Sequence, residues 1–569
     1  MKLTGTTQTA PSEASPASKP TVARPQRAPW LDLAVGGIAV ALYLLAQLVF
    51  LQGPHPYDPS WYFRTAFDFP DVAPDLFTLR IGLMAPVRAA LGVFGPSEAA
   101  LYAVPLLSGM ALVGGVYATM LLLFRDRVLA AAAALVTGLN VNYLVNSSQI
   151  FPDLTATATF TTAFLCLLIG GSRPENTSRT WVPTAAVACG GVLLGWSYLV
   201  REFSPILLPA VVALVILLRY PLRRIALLAG IALATAALEL LYGWVYAGDP
   251  FVHARLLLER GDAELVEGQV RMEHIQDQLG GLLDTLLVLP RLLLAWDTGW
   301  VFLVLAGLFL GAVALLRDRR LWLLAAWFLS FLVAMALVGL GSFSSGRWVL
   351  NITNIRYWYP IFPPLVMGAF GGLWLLLRSR IEGPRGLLAA QLGVVALAAL
   401  VLIPGFREFS RCDDSEAWRN DPAERWHELR SWFSTPEAAQ MDVVWTDPYT
   451  SRLLPAYTAS TFGRRVWDGD VETLDPLGDA PTGGPATLLL VHKDRWVARE
   501  DASQALEALR EEWSPAFVTS DRRMVVLAPR EAAITDGVPA GEDWWNLWVG
   551  FVPVAPGGTC GRNPYDLGA

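Results

Sequence analysis

Lysine is almost missing from this chain: Lys and Arg total 43, yet only Lys2, Lys19 and Lys493 are lysine. Such an arginine bias looks like high-GC codon usage, so a run of arginines by itself carries little functional weight. Charge of either sign is scarce, at 16% of residues against roughly 25% in a typical soluble domain. With 54% hydrophobic residues, that composition excludes an ordinary soluble protein. The net charge of −7 comes without a basic stripe, which excludes a nucleic-acid partner. Histidine is rare as well: His55, His253, His274, His427 and His492 show no metal-ligand spacing. No small-residue cleavage site comes after residues 30–51, so that stretch reads as a retained helix rather than a signal peptide.

Long apolar runs are what the chain has in abundance. A membrane-crossing helix needs about 20 mostly apolar residues. Eleven segments meet that test, near 31–51, 99–124, 128–146, 154–171, 182–200, 204–219, 223–246, 300–316, 321–340, 359–378 and 386–404. Residues 281–296 are apolar but short and interrupted by Asp284, and read as interfacial or re-entrant. The fold expected is a polytopic α-helical membrane protein with a C-terminal extracytoplasmic α/β domain. It divides into a disordered cytoplasmic tail over 1–28, rich in Ser, Thr, Pro and Ala, a membrane domain over 29–404, and a soluble domain over 405–569.

Flanking charges orient the spans. A cytoplasmic N-terminus gathers Arg24, Arg27, Arg125, Arg127, Arg173, Arg179, Arg223, Arg224, Arg317, Arg319, Arg320, Arg378, Arg380 and Arg385 on one face. Loops 52–98, 247–299 and 341–358 and the C-terminal domain then face outward, in a multi-pass cell-membrane protein. In the first of these loops, Leu76, Leu79, Leu83, Val87, Ala90 and Leu91 keep helical spacing, which predicts an amphipathic helix over 76–94 in the interface plane. Residues 251–279 show a similar alternation. In the C-terminal domain, runs at 443–445, 486–491 and 524–527 read as strands, and 449–460 and 502–512 as helices. No Gly-rich phosphate loop stands after a strand, so nothing there argues for nucleotide binding. A tail with Trp544, Trp545, Trp548 and Phe551 is expected to pack on this domain or touch the interface. Cys166 and Cys189 fall within spans and read as reduced packing residues. Cys412 and Cys560 fall in the outward domain, where disulfides persist, and are expected to pair.

The chemistry concentrates at outward helix mouths. Just past the first span stands Tyr57-Asp58-Pro59-Ser60-Trp61-Tyr62, with Asp68, Asp71, Asp75 and Arg80 beyond it. Asp153 opens a later span after Phe151-Pro152. A positioned carboxylate can take a proton from an attacking hydroxyl. Each acid also has a structural alternative: Asp58-Pro59 as a turn step, Asp153 as a helix N-cap. Arg201 beside Glu202, and Arg356 in Arg356-Tyr357-Trp358-Tyr359-Pro360, complete the set, and arginine can hold a phosphate bidentately. For each arginine the plain alternative is an interfacial residue that snorkels or pairs locally.

An early loop-one Asp, an interfacial helix and a later Asp at a helix mouth resemble the glycosyltransferase-C superfamily. Its members include lipid A aminoarabinose transferases, protein O-mannosyltransferases and actinobacterial mannosyl- and arabinofuranosyltransferases. The resemblance covers roughly residues 30–404. It implies an inverting glycosyltransferase that takes a sugar from a polyprenyl-phosphate donor and passes it to a cell-envelope glycan, lipid or protein acceptor, within membrane lipid. It implies Asp58 as general base with Asp153 as second acid, and Arg80 and Arg356 on the donor phosphate; Arg201, at an outer helix mouth beside Glu202, is the third phosphate candidate by its position. Tyr57, Trp61, Glu202 and Tyr357 are the further substrate-binding candidates. The family often has paired acids in loop one where this chain has Asp58 alone, so no metal ligand is assigned and a divalent metal stays an open alternative. The rival reading is a multi-span lipid or glycan transporter or flippase, which would hold its ionisable residues near the bilayer midplane.

Overall fold

The structure, a computed structural model, describes residues 28–51, 58–144, 147–171, 181–202, 204–257, 282–345, 354–381, 383–411, 423–447, 450–459, 461–474, 486–492 and 512–532. Tyr57, Cys412, Cys560, the Trp-rich tail, most of 251–279 and nearly all of 502–512 lie outside them.

The helical part opens with α1 (Pro29–Val49), α2 (Asp58–Asp68), α3 (Ile81–Phe94), α4 (Glu98–Phe124), α5 (Arg127–Leu139), the single turn α6 (Val141–Leu144), α7 (Pro152–Gly171) and α8 (Trp181–Val200). Among the described residues, eight helices are long and apolar enough to cross a membrane, and they match eight of the eleven expected spans. The other three are shorter apolar helices, over Arg127–Leu139, Ser204–Leu218 and Trp300–Leu316. The segment expected at 128–146 is cut at Asn140, which turns extended (φ −70°, ψ 152°) while its side-chain amide donates to the Thr137 carbonyl at 2.7 Å. The 13 residues left in α5 reach about 20 Å, short of the hydrocarbon thickness of roughly 30 Å. Leu282–Leu294 is helical over 13 described residues, and the residues before it lie outside the described ones.

Hydrogen bonds between helices relate α4 to α1 and to α7. The Tyr117 hydroxyl near the end of α4 donates to the Asp32 carbonyl near the start of α1 at 2.8 Å, so these two run antiparallel. Ser108 of α4 meets Thr155 of α7 at 2.9 Å, and these run parallel. Gly191 and Gly195 of α8 bring in the helix Leu222–Ala236: a Cβ on Gly195 would stand 2.5 Å from the Ala232 carbonyl oxygen. Small residues four apart on an apolar helix allow this backbone approach. The result is a bundle with two unlike ends. One end carries Arg125, Arg127, Arg224, Arg320 and Arg378. The other carries the starts of α4 and α7, the end of α8 and the start of the 3-10 segment Ile355–Ile361, which leads into the helix Phe362–Arg380.

The helix expected in the interface plane begins later than its spacing predicts. Leu76–Leu79 form a turn and α3 starts at Ile81, yet Leu76, Leu79, Leu83, Val87, Ala90 and Leu91 are all buried, as their spacing required. The turn is built by Asp75, whose carboxylate accepts from the backbone N–H groups of Phe77 and Thr78 at 2.9 and 2.7 Å. Cys166 on α7 and Cys189 on α8 are free thiols.

The last long helix, Gly383–Arg411, runs past Pro404. Beyond it the described residues form a five-stranded sheet of order β2-β1-β3-β5-β4, with β1 (Val443–Thr446), β2 (Asp470–Thr473), β3 (Thr487–His492), β4 (Trp513–Val518) and β5 (Met524–Pro529). β1 runs parallel to β2 and β3, while β5 is antiparallel to β3 and β4. The runs read as strands became β1, β3 and β5. The other two are the edges: β2 lacks an apolar run, and β4 carries Pro515 at a register shift, where an edge tolerates proline. The sheet domain sits against the end of the bundle that carries the starts of α4 and α7. Glu98, at the start of α4, accepts from the Tyr457 hydroxyl at 2.5 Å and meets His427 Nε2 at 2.8 Å, and Phe462 packs on Phe63 of α2.

Candidate active site

Six charged residues singled out in the sequence meet at that end of the bundle, in a chain of alternating sign. Arg356 Nη2 donates to Asp58 Oδ2 at 2.8 Å, and its Nε lies 4.0 Å from Asp153 Oδ2. Arg201 Nε stands 3.2 Å from Asp153 Oδ1, and its Nη1 is 3.9 Å from Glu202 Oε1. Glu202 then accepts twice from Arg80, at 2.5 and 3.0 Å. The order is Asp58, Arg356, Asp153, Arg201, Glu202, Arg80.

Local structure explains each placement. Pro152 takes the start of α7, where its missing N–H costs nothing, and Asp153 comes next in the first turn. There its carboxylate faces the positive end of the helix dipole, inside the helix rather than at its cap. Asp58 likewise opens α2 instead of forming an isolated turn. Arg80 precedes α3, and Gly82 lets α3 approach α8: a Cβ there would lie 2.5 Å from the Val200 nitrogen. That contact sets Arg80 beside Arg201 and Glu202. Asn354 caps the 3-10 segment, its side-chain oxygen accepting from the Arg356 N–H at 3.1 Å, which fixes the root of that arginine.

Asp153, Arg201 and Arg80 are buried, at 1, 4 and 5% exposure. Asp58 and Arg356 are the open pair, with side chains 36 and 18% exposed. Burial raises the Asp58 carboxyl, but the Arg356 guanidinium, with Arg80 and Arg201 further off, holds it below the usual aspartate range. For Glu202 burial acts the same way, and Arg80 and Arg201 again hold the acid well below its ordinary value.

Of the further candidates, Tyr357 lies between two arginines, its ring centroid 4.7 Å from Arg201 and 5.4 Å from Arg356. Glu202 is the bidentate partner of Arg80. Trp61 is half-exposed and donates its indole N–H to Asp75 at 3.3 Å, in the turn before Arg80. Asp68 pairs with Arg64 on the surface. Two residues of the site were absent from the sequence-derived set. The Tyr62 hydroxyl contacts Arg80 and is buried, and burial pushes its phenol up to about 12 despite that arginine. Its place four residues after Asp58 is a helical spacing that signals a shared face. Phe151 lies under Arg356, ring centroid to guanidinium 4.6 Å, and no pattern in the sequence marks it.

The arrangement does not suit a divalent cation. Arg356 stands between the carboxylates of Asp58 and Asp153, where an ion shared by the two would sit. Among the described residues no group of three or more His, Cys, Asp or Glu side chains could hold a metal.

No protein-family model and no curated protein matches the chain. It is similar to the solved structure of ArnT from Cupriavidus metallidurans bound to undecaprenyl phosphate, at 14% identity and a TM-score of 0.49, over 90% of this chain and 100% of that one. It is also similar to the archaeal oligosaccharyltransferase AglB from Archaeoglobus fulgidus, in complex with an inhibitory peptide and a dolichol-phosphate. There the identity is 12% and the TM-score 0.46, over 90% of this chain and 75% of that one.

Proposed function

We propose that the protein is an integral membrane glycosyltransferase that moves a sugar from a polyprenyl-phosphate donor to a cell-envelope acceptor, with inversion at the anomeric carbon. The observation that carries this reading is the alternating chain of three arginines and three carboxylates at one end of a membrane-crossing bundle. In the reaction an acceptor hydroxyl attacks the anomeric carbon, and its proton passes to Asp58. A new C–O bond forms while the bond from carbon to phosphate oxygen breaks, and its electron pair leaves with the lipid phosphate. The phosphate gains a negative charge in that step, which Arg356 is placed to stabilise. Arg201 and Arg80 add positive charge from behind, held by Asp153, Glu202 and Tyr62. Tyr357 and Phe151 keep the guanidiniums in place by stacking. Tyr57 and Trp61 flank the general base in the chain and are assigned to the sugar or the acceptor.

Ionisable groups grouped at helix ends support a transferase over a flippase, whose charges belong at the bilayer midplane. The arginine-rich opposite end supports a cytoplasmic N-terminus, with the site and the sheet domain outside. The test is turnover by the purified full chain in lipid bilayers, supplied with labelled polyprenyl-phosphate sugars and a cell-envelope acceptor fraction. Release of lipid phosphate with labelled acceptor is expected. Movement of the intact donor across the bilayer without release would overturn the assignment.

A further inference from the structure

The ion pair between Asp58 and Arg356 differs from the rest of the cluster, and its role depends on the reading of the site as a lipid-phosphate-dependent transferase. Three guanidiniums face three carboxylates, so the cluster as it stands has no spare positive charge for an anionic donor. Arg80 is tied down by donating twice to Glu202 and once to Tyr62. Arg201 is buried on Asp153. Arg356 is held at hydrogen-bond distance by Asp58, the most exposed carboxylate of the three, while its contact to Asp153 is 4.0 Å long. Its Nε and both Asp153 carboxylate oxygens are buried and make no hydrogen bond among the described residues. An entering phosphate therefore meets its weakest competitor at Arg356.

We propose that the Asp58–Arg356 pair is a lock that the donor itself opens: the phosphate takes Arg356, and Asp58, released, becomes basic enough to accept the acceptor's proton. A carboxylate paired with a guanidinium is a weak base, because the neighbouring cation favours its charged form. Displacing Arg356 onto the phosphate removes the largest of those stabilising charges. Arg80 and Arg201 still face Asp58, and Asp153, Glu202, Tyr62 and Tyr357 complete the titratable surroundings, all already engaged with arginines. The pair thus makes acceptor activation depend on donor binding. After transfer the leaving phosphate is a monoester with added charge and stays on Arg356. Asp58 gives its proton to water and re-forms its pair with Arg356 once the lipid phosphate has left.

Two measurements on the full chain in lipid nanodiscs test this. The first uses a short isoprenyl methyl phosphate diester, whose single charge does not change with pH. Asp58→Asn is expected to bind it about fivefold tighter than the wild type, the competition of a partly exposed ion pair having gone, and Arg356→Ala to bind it more weakly than either. If the Asn variant fails to fold, judged by thermal melting, Asp58→Ala makes the same comparison. The second needs no variant. The acid limb of kcat/KM reports the free enzyme and that of kcat the substrate complex. The kcat limb is expected at higher pH, because Asp58 has lost Arg356 in the complex. Unchanged or weaker diester binding on removal of the Asp58 carboxylate overturns the lock, and so do coincident acid limbs. Absence of sugar transfer by the wild type would instead reject the transferase reading, while diester binding still decides the lock.

Discussion

Asp58 owes its character to Arg356, reached across nearly 300 residues of chain and 2.8 Å of space. Exchanging Asp58 for Asn keeps the shape and removes the base. Asp58→Asn is therefore expected to lower turnover by about 10² to 10⁴ while the protein still expresses and folds. Steady-state kinetics with a labelled donor measure this, and full activity in the variant would remove Asp58 from the mechanism. The pH dependence of stability has a definite sign. The folded-state carboxyl lies below its ordinary value of 3.8. Its contribution to stability is thus fully present above that value and is lost only as pH falls through the lower folded value. Melting curves of wild type and Asp58→Asn should accordingly differ least at the acid end of the range.

Elements matter here through how closely they approach. The site is assembled where α3 and α8 touch, and Gly82 is the residue that permits it, with the Val200 nitrogen and Leu199 carbonyl carbon 2.5 and 2.6 Å from where a Cβ would stand. These are backbone atoms on a packed helix and cannot swing aside. Gly82→Ala is expected to cost about 1–3 kcal/mol through overpacking. It should also lower activity more than tenfold, because Arg80 travels with α3 and Glu202 with α8. Gly92 lies on the same helix with nothing within 4 Å of its added Cβ. Gly92→Ala should be neutral or slightly stabilising, since alanine is the better helix former. Thermal unfolding in detergent paired with transfer assays separates the two. Equal effects of both variants would mean that the α3–α8 contact does not hold the site together.

At the level of the whole molecule, the two unlike ends of the bundle imply a sidedness that labelling can read. Ser434 lies on the sheet domain, which contacts α4 through Glu98, whereas Ser379 is exposed next to Arg378 at the opposite end. A cysteine introduced at Ser434 should react in intact cells with a membrane-impermeant maleimide. One introduced at Ser379 should react only after permeabilisation. The reverse pattern would place the site on the cytoplasmic side, away from a cell-envelope acceptor.

Read along the chain alone, the residues were enough for the membrane class, the location of eight long spans, the helical face buried by α3 and six charged residues that the fold brings together at one end of the bundle. Those features are local: runs of apolar residues, a repeat of three to four, acids and arginines at helix mouths. Helix ends set by a single side chain were harder to read, as at Asn140, where one amide turned back on its own helix ended α5 early. The edge strands β2 and β4 escaped because they bury little apolar surface or carry proline. Pairing within the site emerged from the packed fold. Which carboxylate faces which arginine, that Phe151 lies under Arg356, and that Asp58 is the open end of the chain of charges all depend on contacts between residues far apart in sequence. Such contacts are set by how helices pack on one another, and no spacing along the chain encodes them.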